Sequence, residues 1–238
     1  MAFLTWISDE KLLEAFATLA DSIKRGADKA EKDRARNIID PFSAVFTLSF
    51  LKMNHLHWLE MEVFRQKEKS LTNAIGNFHQ QILGSVNGWE NLGTKANVDI
   101  VNDERKIIAE IKNKYNTVKG SERINIYKSL YDCIYGKVSK YNGYKAYFVT
   151  IIPRKPEGIC RPFVPSDSKS GKKPLEDENI IEIDGKRFYS LVTGSETAME
   201  DLFKVIPQIL ATDHFHLTLD NESKVYVNKL FGGAFNRK

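Results

Sequence analysis

Two acids and a lysine near the middle of the chain have the types and spacing that metal-assisted hydrolysis of a phosphodiester needs. They lie in the run Val98-Asp-Ile-Val-Asn-Asp-Glu-Arg-Lys-Ile-Ile-Ala-Glu-Ile-Lys-Asn-Lys114, which reads as two apolar strands joined by a polar turn at 102–105. Side chains alternate faces along a strand, so Glu110 and Lys112 share one face, about 7 Å apart. Folding the hairpin brings Asp99 back toward Glu110. Two converging carboxylates suit a hard cation such as Mg²⁺, which takes one or two carboxylates together with waters and a substrate phosphate. Asp99 and Glu110 supply those carboxylates, and the backbone carbonyl of Ile111 offers a third oxygen. Lys112 stands where it can position a water or neutralise charge that develops on phosphorus. Acid-x-Lys triplets also occur at Asp9/Lys11, Glu104/Lys106, Asp167/Lys169, Asp184/Lys186 and Glu222/Lys224. Those fall at expected caps, turns or loops; only Glu110/Lys112 sits inside a strongly apolar strand. An amphipathic hairpin whose polar face is merely solvated accounts for the same pattern equally well.

The elements around this hairpin are of mixed type. Leu12, Leu13, Phe16, Leu19, Ala20 and Ile23 recur at helical spacing. Gly26 is placed to end that helix, and a second is expected over 28–38. Asp40-Pro41 caps an apolar helix from Phe42 to Met53. A further helical stretch runs from Trp58 to Leu83, with a break expected near Ser70. Beyond the hairpin, Ser121 caps a helix carrying Ile124, Tyr127, Leu130, Tyr131 and Ile134. Tyr144 to Ile152 has the aromatic and β-branched content of a central strand. Residues 153–179, rich in proline and polar side chains, read as a long loop. Ile180–Ile183 and Arg187–Val192 read as a hairpin turning at Asp184-Gly185. Ser195 caps a helix to about Leu210, and Lys224–Val227 reads as a short strand. The expected fold class is α/β, a mixed sheet flanked by helices. A helical N-terminal region, 1–92, is expected to pack on a core at 93–238 as one compact domain.

Composition narrows the classes further. The 238 residues are 42% hydrophobic and 28% charged, as in ordinary globular proteins. No apolar run is long enough for a transmembrane helix, and the start lacks the pattern of a secretory signal, so a cytoplasmic protein is expected. Cys133 and Cys160, the only cysteines, lie too far apart for a zinc knuckle and read as reduced thiols. His214-Phe-His216 would place two imidazoles on one strand face, but zinc needs further Cys or His partners that do not lie nearby. Net charge is a modest +4, yet basic residues cluster at Lys106–Lys128 and Arg154–Lys173. A polyanionic partner fits those clusters, and so do solvated faces.

Asn97-Val-Asp99 followed by Glu110-Ile-Lys112-Asn-Lys-Tyr-Asn-Thr117 resembles the active-site signature of type II restriction endonucleases of the PD-(D/E)xK superfamily. The likeness is closest to a small family that cuts GGNCC-like sites. It takes in Asn73–Gln80 upstream and Asp184–Tyr189 with Thr193–Leu202 downstream. Val98 stands where the superfamily name implies proline. The resemblance implies a restriction-endonuclease-like core, Mg²⁺-dependent hydrolysis of both strands of DNA, and 5′-phosphate and 3′-hydroxyl ends. It also implies a homodimer acting on a two-fold symmetric site and a cognate DNA methyltransferase that protects the host. Asp99, Glu110 and Lys112 would then be catalytic, with the metal on Asp99, Glu110 and the Ile111 carbonyl. Lys114, Asn116, Thr117 and Lys119 would lie beside the cut phosphate. Arg154, Lys155 and Arg161, on the 153–179 loop, would read guanine edges. Glu68 is the first candidate for an added metal ligand from the helices, and His79 and Gln80 are candidates for facing the phosphate. A repair or recombination nuclease of the same superfamily and a non-catalytic DNA-binding protein are the competing readings.

Overall fold

The structure is a computed structural model and describes residues 2–32, 40–93, 96–165, 174 and 176–235. By its own contacts the chain divides into two compact units, Met1–Leu13 with His79–Lys238, and Glu14–Phe78.

The smaller unit is helical. α1 (Asp9–Lys32) begins in the larger unit and continues here, followed by α2 (Pro41–Phe50) and most of α3 (His55–Gly84). Asp40 caps α2 by accepting from the Phe42 amide, with Pro41 in the first turn, as its sequence predicts. Phe16 of α1 meets Phe78 of α3 edge to face, the ring centroids 5.0 Å apart. Two expectations fail here. α1 does not end at Gly26 but passes through it: a Cβ at that position would run into the Ser70 side chain. Gly26 thus serves close helix packing, not helix termination. The helix expected over 28–38 is in part the end of α1, and its 33–39 portion lies outside the described residues. α3, for its part, is unbroken at Ser70, whose hydroxyl bonds back to the Gln66 carbonyl within the helix.

The larger unit is built on six strands: β1 (Glu90–Asn91), β2 (Ile100–Asn102), β3 (Ile107–Lys114), β4 (Lys145–Ile152), β5 (Cys160–Pro162) and β6 (Ile180–Asp184). Their order is β1-β2-β3-β4-β6-β5. β3, β4 and β6 run parallel, and the others pair antiparallel. Parallel strands are covered on both faces and therefore read as continuous apolar runs; Ala146 to Ile151 of β4 are all buried. One face carries Ile108, Ala146, Phe148 and Ile180, packed against Tyr127, Leu130 and Ile134 of α4 (Gly120–Tyr135). Tyr147, on the opposite face, meets Phe188 of α5 (Gly185–Thr193), which packs with α6 (Ala198–Leu210). No helix among the described residues is long and apolar enough to cross a membrane.

Five local expectations are corrected. Arg187–Val192 is not a strand and Asp184-Gly185 is not a hairpin turn. Asp184 ends β6 and caps α5, its Oδ1 accepting from the Arg187 amide at 3.1 Å. Gly185, Phe188, Tyr189 and Val192 are buried at helical spacing. A Cβ on Gly185 would fall 2.5 Å from the Ile151 carbonyl oxygen, so the glycine lets α5 lie against β4. Lys224–Val227 belongs to α7 (Asn221–Phe235), which starts where Asp220 accepts from the Ser223 amide at 2.7 Å. The 153–179 segment is not loop throughout, since it contributes β5 to the edge of the sheet. The helix caps expected at Ser121 and Ser195 are Lys119 and Thr197 instead. His214 and His216 occupy a turn, not a strand, with His216 at φ 52°.

Candidate active site

The β2–β3 hairpin sets the site. Its register pairs Ile100 with Ala109, Val101 with Ile108 and Asn102 with Ile107. The turn is fixed by Asn102, whose side-chain oxygen accepts from the Arg105 amide at 2.8 Å. Asp99 stands one residue before β2 and directly opposite Glu110. Its amide donates to the Ala109 carbonyl at 2.9 Å, while its Oδ2 accepts from the Ile111 amide at 2.6 Å. A carboxylate thus takes over from backbone in continuing the ladder, which fixes its direction.

Glu110 Oε1 lies 2.7 Å from Lys112 Nζ, the two side chains projecting from the same face of β3. Burial, followed by the negative charge of Glu110, raises the Asp99 carboxyl to about 6. The Ile111 amide, the Lys112 charge and a hydrogen bond from the Gln80 side chain act in the opposite direction and do not cancel the rise. Desolvation pulls Lys112 down, but the hydrogen bond and charge of Glu110 outweigh it and leave the amine raised, hence protonated at neutral pH. The site is therefore two crowded carboxylates sharing one ammonium. Electrostatically it has room for a further positive charge. Within an extended strand a residue's N–H and C=O point to the same side. Ile111, whose N–H donates to Asp99, therefore turns its own carbonyl toward the same side. This donor set, two carboxylates and a carbonyl, fits a hard cation completed by waters and phosphate.

Parallel register carries the site across the sheet. Glu110, Phe148 and Glu182 are neighbours in one row, and Lys112, Thr150 and Asp184 in the next. At the edge of the apolar patch covered by α4, beside Thr150 and Glu182 of these rows, a cleft of about 520 Å³ opens. Tyr115, Arg123, Thr150, Arg154, Lys155, Arg161 and Glu182 line it. Buried Glu182 accepts from Arg123 at 2.5 Å and lies 3.5 Å from the more exposed Arg161. The Arg123 guanidinium sits 5.0 Å from the ring centres of both Phe148 and Phe163. One acid therefore holds two arginines in a cleft whose charge is positive. The loop 153–159 is tied down by Asp184, which accepts from the Ile159 amide at 2.8 Å and from Arg187 at 2.5 Å.

Of the residues singled out in sequence, Asp99, Glu110 and Lys112 come together, with the Ile111 peptide beside them. Arg154, Lys155 and Arg161 share the cleft. Lys114, Asn116, Thr117 and Lys119 are exposed along the turn from β3 to α4, where Thr117 caps back onto the Lys114 carbonyl. Gln80 reaches Asp99. His79 instead is half-buried, its ring 2.7 Å from the Tyr189 hydroxyl, and desolvation lowers its pKa to about 4, so it is neutral at pH 7. Glu68 lies within the smaller unit, where it accepts from Thr72. Glu182 and Glu122 were not singled out, and Arg123 only as a member of the basic cluster Lys106–Lys128. Glu122, in the first turn of α4, acts on Lys112 by charge and lines a cavity of about 170 Å³ with Glu110 and Asn97.

A family model described as Eco47II restriction endonuclease matches residues 4–213. The chain belongs to the Eco47II restriction endonuclease family. It is 43% identical over 210 residues to the type II restriction enzyme Eco47II of Escherichia coli, covering 88% of this chain and 87% of that protein. Its identity to the type II restriction enzyme Sau96I of Staphylococcus aureus is 32% over 209 residues, covering 86% and 78%. The span matched by the Eco47II family holds the carboxylate pair, Lys112 and the whole arginine cleft, and it ends before α7.

Proposed function

We propose that this member of the Eco47II family is a Mg²⁺-dependent type II restriction endonuclease. It hydrolyses both strands of double-stranded DNA at a short GGNCC-like site and leaves 5′-phosphate and 3′-hydroxyl ends. The observation that carries this reading is the pairing of Asp99 with Glu110 across the β2–β3 hairpin, with Lys112 Nζ 2.7 Å from Glu110. Asp99, Glu110 and the Ile111 carbonyl would hold the ion. When bound, Mg²⁺ supplies positive charge to the scissile phosphate and eases deprotonation of a nearby water.

The side chains of the site supply orientation and charge. The Ile111 amide and Gln80 fix the Asp99 carboxylate, so little reorganisation is needed as the substrate arrives. Glu110 keeps Lys112 protonated and aimed. The ammonium then aligns the attacking water or offsets charge on the pentavalent phosphorus. Lys114, Asn116, Thr117 and Lys119 would grip the backbone next to the cut. Arg154, Lys155 and Arg161 would reach base edges, with arginine suited to guanine O6 and N7. The enzyme would work as a homodimer in the cytoplasm beside a cognate methyltransferase.

The purified chain should convert unmethylated phage DNA to discrete fragments with Mg²⁺ and leave it intact in EDTA. Asp99→Asn and Lys112→Ala should each lower the rate at least a hundredfold, on the order of 3 kcal/mol in the barrier. A smear, or cleavage governed by DNA ends, points instead to a repair-type nuclease. DNA left intact under every condition defeats the catalytic reading.

A further inference from the structure

α2 is the least accommodated element of the smaller unit. Its ten residues, Pro-Phe-Ser-Ala-Val-Phe-Thr-Leu-Ser-Phe, include no charge, and none of them is buried. A helix with no charged residue has no strongly solvated face to turn to water. Phe42, Val45, Phe46 and Phe50 recur at helical spacing and form one stripe, with the Phe46 and Phe50 rings stacked at 6.1 Å. Along that stripe Phe42, Phe46 and Phe50 are 71, 57 and 79% exposed, and Val45 is 52% exposed. At about 200 Å² for a phenylalanine, the stripe presents on the order of 500 Å². Two copies set face to face would cover roughly 1,000 Å², the size at which a specific interface begins. Scattered exposed apolar residues are ordinary; a contiguous patch of this size marks an association site.

We infer that the α2 stripe is the surface through which two copies of this chain dimerise. The choice of occupant rests on the endonuclease reading: cutting both strands of a two-fold site calls for two copies of the Asp99–Glu110 pair in two-fold relation. The stripe itself favours a second copy over a different partner. An interface across a two-fold axis sets a patch against itself, and a helix without charge meets its own copy with no like-charge repulsion. α2 spans about 15 Å. Crossed antiparallel, two copies bring Asp40, the cap at one end, near Lys52 just past the other end of the second copy, so opposite charges meet at both margins. The surface is thus apolar at its centre and charge-complementary at its rim.

Sedimentation of the full chain should give twice the 27.2 kDa chain mass. The double variant Phe46→Asp/Phe50→Asp should sediment as the single chain with an unchanged far-ultraviolet spectrum. A second arm decides the matter if that variant fails to fold. In a Cys160→Ser background, which removes the exposed thiol, Val45→Cys should be joined between copies by a short bismaleimide. Val138→Cys, fully exposed in the larger unit, should be joined far less. A dimer that survives the double aspartate substitution, or equal cross-linking at 45 and 138, overturns the assignment. A wild-type monomer that still cuts both strands sinks the interface and spares the nuclease reading. A dimer that never cuts DNA does the reverse.

Discussion

Asp99 is held at a cost that the ion would relieve. Its carboxyl is raised to about 6 from an ordinary 3.8, first by burial and then by Glu110. The folded protein therefore binds more protons at this position than the unfolded chain between about pH 4 and pH 6. Stability associated with the protonated form is fully present below pH 4 and is lost as pH rises through 6. Asp99→Asn keeps an oxygen for the Ile111 amide and removes the like charge. In EDTA it should be more stable than the parent by about 1–3 kcal/mol above pH 6.5, and the gap should close toward pH 4. Thermal melts at pH 4.5 and 7.5 measure this directly. A variant no more stable than the parent at pH 7.5 refutes the charge-crowding account. The same protonation competes with a cation for Asp99, so millimolar Mg²⁺ should raise the melting temperature of the parent above pH 6.5, less at pH 5, and that of Asp99→Asn hardly at all. These three residues were legible in sequence because a strand has a period of two. Glu110 and Lys112 must share a face once Ile107 to Ile111 form a strand, and a short turn leaves Asp99 only one place to go. Gln80, 19 positions upstream, could be named but not aimed by any local rule.

Asp184 links three elements, and its loss should be felt in all of them. It caps α5, receives the Ile159 amide and pairs with Arg187, whose guanidinium also donates to the Glu157 carbonyl. Asp184→Ala removes a cap worth about 1 kcal/mol and strands a buried amide at a further 1–3 kcal/mol. Urea midpoints should report a loss of about 2–4 kcal/mol, and amide exchange at Ile159 should quicken. A variant that loses stability while Ile159 remains protected places the loop's anchor elsewhere. This junction also shows where local signals mislead. Asp-Gly between apolar runs is a hairpin signature, but Asp is equally a helix cap, and the spacing Gly185, Phe188, Tyr189, Val192 was the helical pattern that should have decided the matter. Gly26 carried the same ambiguity, because a glycine that ends a helix and one that admits a neighbouring helix look alike until Ser70 is placed beside it. The strands β3, β4 and β6 were recognisable one at a time from apolar content. Their parallel alignment, which places Glu110 beside Phe148 and Glu182, depends on contacts dozens of residues apart, so Arg123 was read only as part of a basic cluster and its pairing with Glu182 was not foreseen.

Across the whole molecule the charge excess is only +4, so affinity for DNA must come from where the charges lie. The cleft beside Thr150 gathers Arg123, Arg154, Lys155 and Arg161 around Glu182, the one acid among its described lining residues. Glu182 is buried and cannot meet a phosphate, so it acts by holding guanidinia in fixed positions before DNA arrives. Arg123 is locked by that pairing and by two rings, whereas Arg161 is two-thirds exposed and only 3.5 Å from the same carboxylate, free to swing toward a base. Lys155, on the exposed loop, has the reach and compact point charge of a phosphate contact. The two should separate in a titration of DNA binding against salt, with Ca²⁺ replacing Mg²⁺ to prevent cleavage. Lys155→Ala should weaken binding to specific and unrelated duplexes alike and reduce the salt slope by about one. Arg161→Ala should cost about 1–3 kcal/mol on the specific duplex, leave unrelated DNA nearly unaffected, and keep the slope. Glu182→Gln should follow Arg161→Ala in direction, since loosening both arginines costs orientation and not charge. Should Arg161→Ala instead weaken every duplex equally with a shallower slope, Arg161 grips backbone, and sequence choice must come from another part of the 153–159 loop.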